Sequence, residues 1–228
     1  MSAHRMEHRV DDAPIEPRAV VPAVAAATLG AAAACWLLAA HLMAGMDMGV
    51  TTQLGSLDFF IGAWTAMMAA MMLPGALPAV LRCARLRWRV QDGLLFAASY
   101  LTVWMLVGLA VYGVDRPHGT SVAGASAIAA GIYELTPLKR ACRRRCRAIT
   151  RSGFAFGFAC LGSSVGLMLI LVGVGVMSIT WMSAIAAIVL AQKVLPPRAF
   201  VDLPLALGML ALGMLIVLVP GFVPGLVG

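Results

Sequence analysis

Seven apolar stretches constrain this chain more than any other feature: Ala19–Met43, Leu57–Leu81, Leu94–Val114, Thr120–Leu135, Gly153–Val176, Trp181–Val194 and Ala199–Val219. A spanning helix takes about 20 apolar residues. Helices satisfy their own backbone groups, so they are what such runs form in lipid. Seven of them leave only short loops in 228 residues and no room for a second soluble domain. A composition of 61% hydrophobic and 12% charged residues excludes a water-soluble globular enzyme and a disordered chain. The fourth run is short and rich in Gly, Ser and Ala, and the sixth is tied to the fifth by a tight link at Met177–Thr180.

Positive charge orders these runs. Short cytoplasmic loops collect Lys and Arg. Arg5, Arg9 and Arg18 precede the first run, Arg82, Arg85, Arg87 and Arg89 follow the second, a cluster from Lys139 to Arg151 follows the fourth, and Lys193 and Arg198 flank the sixth. Of the 17 Lys and Arg residues only Arg116 falls on the opposite side. This predicts an all-α polytopic membrane bundle of about seven transmembrane helices, N-terminus inside and C-terminus outside. Residues 1–18 form a cytoplasmic arm, 19–219 the transmembrane domain and 220–228 a short extracytoplasmic tail. The net charge of +7 is read as topology, with anionic lipid heads as the partner and no nucleic acid. Lys139–Arg147 is expected to be a solvated, lipid-facing anchor. Ala32-Ala33-Ala34-Cys35 faintly resembles a lipoprotein cleavage box, but the apolar run continues past it and predicts an uncleaved helix. No internal repeat is evident. Gly153/Gly157 and Gly162/Gly166 are close-packing signals, within the chain or toward another.

The sulfur atoms are unevenly placed. Of 15 methionines, seven fall between Met43 and Met72. The first extracytoplasmic loop reads His41-Leu-Met43-Ala-Gly-Met46-Asp47-Met48. Thioethers are soft ligands that suit Cu(I), and imidazole also suits copper. Thioethers need no deprotonation, and the glycines let several converge on one ion. The second run then carries Trp64, Met67, Met68, Met71 and Met72 ahead of Pro74. At about 100° per residue these methionines cover an arc of about 140°. Such a stripe fills a core as readily as it passes a metal. Pro74 and Pro78 are expected to kink this helix and free carbonyls. Met177 and Met182 flank the tight fifth loop, on the same side as His41–Met48, so the two outer loops are expected to meet.

Cys142 and Cys146 share a face if the segment is helical, and neighbouring arginines are expected to lower their pKa. Both lie on the reducing side, where a structural disulfide is not expected. Ordinary juxtamembrane cysteines or acylation sites are the competing reading. Cys160 lies near mid-membrane with Ser163 and Ser164 one turn on, a polar face expected to point inward. Glu134, Lys193 and Asp202 lie near the inner face, and Lys193 is expected to pair with Glu134 or Asp202. No haem, flavin or nucleotide is expected: only His41 and His118 lie outside the N-terminal arm, and there is no phosphate loop. Nothing resembles a nucleophile with its base or paired catalytic carboxylates, so the chain is not expected to be an enzyme.

Three ordered segments resemble a known family. Trp64-Thr-Ala-Met67-Met68-Ala-Ala-Met71-Met72-Leu-Pro74 is similar to the first signature of the bacterial predicted metal-binding integral membrane protein family, domain of unknown function 2182. Gly131-Ile-Tyr133-Glu-Leu-Thr136-Pro137-Leu138-Lys139 with Cys142 and Cys146 resembles its second. Gly175-Val-Met177 with Trp181-Met182 resembles its third. The resemblance runs from about His41 to Lys193. It departs in the fifth run, where that family's pattern is Cys-x-Gly-Cys-Cys-Trp and this chain has Cys160-Leu-Gly162-Ser163-Ser164-Val165. If those thiols bind metal in relatives, only Cys160 is left of that inner site.

The sequence therefore predicts a multi-pass protein of a bacterial inner membrane that captures, transports or delivers a soft metal, copper foremost. His41, Met43, Met46, Asp47 and Met48 would take up the ion, Met67, Met68, Met71 and Met72 would pass it inward, and Met177, Met182 and Cys160 would complete the ligands. The alternative is a non-catalytic accessory subunit of a larger membrane complex such as a copper oxidase or monooxygenase. Partners on either reading are other membrane subunits or a copper-requiring enzyme.

Overall fold

The structure, a computed structural model, describes residues 17–44, 55–87, 89–114, 120–149, 151–174, 179–195 and 199–219. Most of the segment 1–18, expected to be a cytoplasmic arm, and all of 220–228, expected to be an extracytoplasmic tail, lie outside the described residues, and with them Met46, Asp47, Met48 and Met177. Each of the seven apolar runs forms one helix: α1 (Pro17–Met43), α2 (Leu57–Arg87), α3 (Val90–Val114), α4 (Thr120–Glu134), α6 (Gly153–Val174), α7 (Ile179–Val194) and α8 (Ala199–Leu218). Residues 19–43, α2, α3 and residues 153–173 are long and apolar enough to cross a membrane. Leucines on the outside of the bundle, such as Leu37, Leu95, Leu106 and Leu207, are exposed, as an apolar solvent would require.

An eighth helix, α5 (Pro137–Ala148), occupies the segment expected to be a loop. Thr136 caps it, extended in backbone, its side chain accepting from the Lys139 amide, and Pro137 fills the first turn. Its buried residues are Lys139, Arg143 and Cys146, three or four apart on one face. The expectation of a lipid-facing anchor is corrected here. Lys139 and Arg143 turn into the protein, and only Arg140, Arg144 and Arg145 remain exposed. Burying two cations is tolerable because each meets a carboxylate. Lys139 Nζ donates to Glu134 Oε2, and Arg143 Nη1 donates to Asp202 Oδ1 at 2.5 Å. Gln192 of α7 bridges Glu134 and Lys139. Burial pulls the Lys139 pKa below its ordinary value, and Glu134 partly offsets that pull.

The centre of the bundle is α2, which packs against α1, α3 and α7. It runs as one helix through Pro74 and Pro78. Small residues let its neighbours close in. Trp64 lies against Gly108 of α3, where a Cβ would collide with the indole, and its Nε1 donates to the Trp104 carbonyl at 2.8 Å. Gly108→Ala is therefore expected to cost about 1–3 kcal/mol of stability, read as a lower thermal midpoint in detergent. Gly113→Ala, where nothing lies within 4 Å, should leave the midpoint unchanged. The five glycines of α6 are all used inside the chain. Gly153 and Gly157 face Phe96, Ser99 and Val103 of α3; Gly162 faces Cys142 of α5; Gly166 and Gly173 face α4. The small residues of α4 admit α8, with Gly124 and Gly131 against Gly213, Val217 and Leu210. That explains a weakly apolar run: α4 is built for close contact.

Candidate metal centre

Five helices bring soft and polar atoms together where α5 meets the bundle. Met72 comes from α2, Tyr100 from α3, Cys146 from α5, Cys160 from α6 and Lys193 from α7. Met72, Tyr100 and Cys160 are fully buried and Cys146 nearly so. The Cys146 and Cys160 thiols are near enough to perturb each other's ionisation. The Cys160 sulfur lies 3.2 Å from Tyr100 Oη. Lys193 Nζ donates to that hydroxyl at 3.3 Å and sits 4.0 Å from the Met72 sulfur. Its ammonium also lies over the rings of Tyr100 and Phe156, at 5.6 and 6.0 Å from their centroids. The Lys193 stem reaches this position along Gly75, where a Cβ would strike it.

Lys193 pairs with neither Glu134 nor Asp202, contrary to the sequence reading. Glu134 is held by Lys139, just ahead of it in sequence, and Asp202 by Arg143. The lysine is left facing sulfur and aromatic rings. A second correction concerns Cys146. The neighbouring Cys160 thiol, then burial, push its pKa well above the ordinary thiol value, and Lys193 and Arg147 pull the other way more weakly. The arginines that follow Cys142 in sequence mostly face away from the thiol. All five cysteines are free.

Two thiols and a thioether make a soft donor set, the kind that selects Cu(I). Among the described residues no group of three or more His, Cys, Asp and Glu side chains could hold a metal ion. Two thiolates around Cu(I) carry one net negative charge. The Lys193 ammonium beside them would offset it, and Tyr100 Oη can donate to the Cys160 sulfur.

The remaining sequence candidates divide. Met67, Met68 and Met71 are buried in α2 on the turns before Met72. Met43 and Met182 are fully buried in the core, whereas His41 is exposed at the end of α1. Ser163 and Ser164 are buried as expected. They line a cavity of about 640 Å³ whose wall includes Cys146 and Lys193. Sequence reasoning missed Tyr100, and it did not connect Cys146 with Cys160. The Cys-x3-Cys spacing was the available signal, since a helix there turns both thiols toward one neighbour.

Residues 61–216 match the PpoB2 family, described as copper chaperone. That span contains every member of the sulfur cluster and leaves out His41–Met48. This chain belongs to the PpoB2 copper chaperone family. No curated protein and no solved structure matches it. The soft-metal expectation thus stands as a copper-related family, and a chaperone family points to a non-catalytic, accessory role.

Proposed function

We propose that this chain is an integral membrane copper chaperone that holds Cu(I) between Met72, Cys146 and Cys160 and delivers it to a copper-requiring enzyme. The observation that carries this reading is the neighbouring Cys146 and Cys160 thiols, linked through Tyr100 and Lys193 to the Met72 thioether, with an ammonium that has no carboxylate partner among the described residues. The seven helices and the one-sided Lys and Arg distribution support seven crossings of a bacterial inner membrane, N-terminus inside. On that topology the cluster and α5 lie toward the cytoplasm. His41, Met43, Met46, Asp47, Met48, Met177 and Met182 serve capture outside, and Met67, Met68 and Met71 lead along α2 toward Met72. The accessory-subunit alternative loses one support, because the packing glycines of α6 are taken up within the chain.

The test is the metal content of the protein purified in mild detergent after growth with added copper. A near-stoichiometric copper signal is expected. A chain that is empty and binds no added Cu(I) would overturn the proposal and leave the methionines as core filling. Replacing Met46 and Met48 together should lower the copper acquired in cells while leaving Cu(I) added to the purified protein bound.

A further inference from the structure

The cavity beside the sulfur cluster has the wrong charge for a free copper ion. Among the described residues its lining includes Arg82 and Arg85 of α2, Arg143 and Arg147 of α5 and Lys193 of α7, and no Asp or Glu. Among the described residues only Arg143 of these has a carboxylate partner, Asp202. Arg82 is braced across the gap, its Nη1 donating to the Arg147 carbonyl at 3.0 Å. Arg147 donates in turn to the Leu195 carbonyl. Arg85 is exposed at the rim. Arg143 is 6% exposed, yet its Nε has no hydrogen-bond partner among the described residues. The rest of the Arg143 guanidinium donates to Asp202 and to the Gln192 and Leu195 carbonyls; its spare buried N–H, in a wall that carries four other cations, suits an anion. Cys146 lies in the same wall, so whatever the cations attract arrives at the thiol.

Resting on the proposed copper site, the geometry points to the form in which the metal enters it: an anionic Cu(I) bis-thiolate complex of a small carboxylate-bearing thiol, bound in the arginine-lined cavity. A volume of about 640 Å³ suits a ligand of that size. The arginines engage the carboxylates, and the complex lies against Cys146. Transfer is ligand exchange. Two Cu–S bonds to the carrier break and two form to Cys146 and Cys160. The two cysteine thiol protons pass to the departing thiolates, which leave as thiols. Copper stays Cu(I) throughout, and one net negative charge moves from the carrier complex to the protein site. A free monocation meets the same arginines as repulsion. Fields focused in a cleft of one sign change association rates by about 10–10³-fold.

The experiment measures transfer rates into the full chain in a neutral detergent, under anaerobic conditions. One donor is the Cu(I) complex of mercaptosuccinate, which is anionic; the other is the acetonitrile complex of Cu(I), a cation. The ratio of anionic to cationic rate is expected to fall at least about tenfold as salt rises from about 50 to about 500 mM. A fall of similar size is expected in Arg82→Gln/Arg85→Glu at low salt. The salt series on the unaltered chain decides the matter even where the double variant does not fold. Loading from both donors, with a ratio indifferent to salt and to the variant, overturns the anionic carrier and leaves the sulfur site standing. Loading from neither donor removes the sulfur site and the carrier with it.

Discussion

The double variant Cys146→Ser/Cys160→Ser is expected to lose Cu(I) affinity by on the order of a hundredfold or more, measured in competition with a chromophoric Cu(I) chelator. Residues that only orient a metal ligand already change affinity by about 10–100-fold, and these two thiols are ligands themselves. Serine preserves the size and a hydrogen bond to Tyr100, so the fold should persist and the loss report chemistry. Met72→Leu should weaken binding less, because a neutral thioether adds a third contact to an ion already held by two thiolates. Gly75→Ala makes the complementary point. It touches no ligand, yet its methyl group collides with the Lys193 stem and should lower affinity by displacing the compensating charge. An unchanged affinity in the double cysteine variant would place the metal elsewhere, with the outer methionines as the first candidates.

The second large effect lies in the ion pairs that fasten α5. Glu134 and Lys139 are both buried almost completely. Glu134→Leu leaves the ammonium without its carboxylate and is expected to cost about 3–5 kcal/mol, read as a lower thermal midpoint or faster proteolysis in detergent. Glu134→Leu/Lys139→Met, which removes both charges, should recover most of that loss, since well-packed apolar residues often replace a buried pair at little cost. The loss has a pH signature. Burial lowers the Lys139 pKa and Glu134 opposes that shift, so removing the carboxylate lowers it further. A lysine whose folded pKa lies below its unfolded value gives stability that rises with pH between the two. The deficit of Glu134→Leu should therefore be greatest near neutrality and shrink as pH rises toward the ordinary lysine pKa. A single variant no less stable than the wild type would show that the pair is dispensable.

How far the sequence revealed this arrangement depends on the kind of information each part needs. The seven helices were legible because apolar run length reports a local property. The helix α5 was hidden by its charge: Lys139–Arg147 read as a loop because the carboxylates that admit Lys139 and Arg143 lie on other helices. Its start signal, Thr136-Pro137, and the inward spacing of Lys139, Arg143 and Cys146 were nevertheless present. Met72 and Cys160 stood out as soft donors. Cys146 did not, because its meaning comes from α6 packing across it. The partner of Lys193 was misread for the same reason. Proximity to the inner face narrows the choices, but only the packing of α7 against α2 selects sulfur and Tyr100 over a carboxylate.

The donors to the cluster come from α2, α5 and α6, its balancing charge from α7, and the anchor for α5 from Asp202 of α8. During synthesis, a ribosome that has already delivered Cys160 has still to make the lysine that neutralises the site and the aspartate that holds α5 in place. On the proposed site, a chain stopped before α7 carries all three sulfur donors but neither the charge that offsets the bound ion nor the aspartate that fastens α5, so the order of the helices leaves such a fragment the weaker holder of copper.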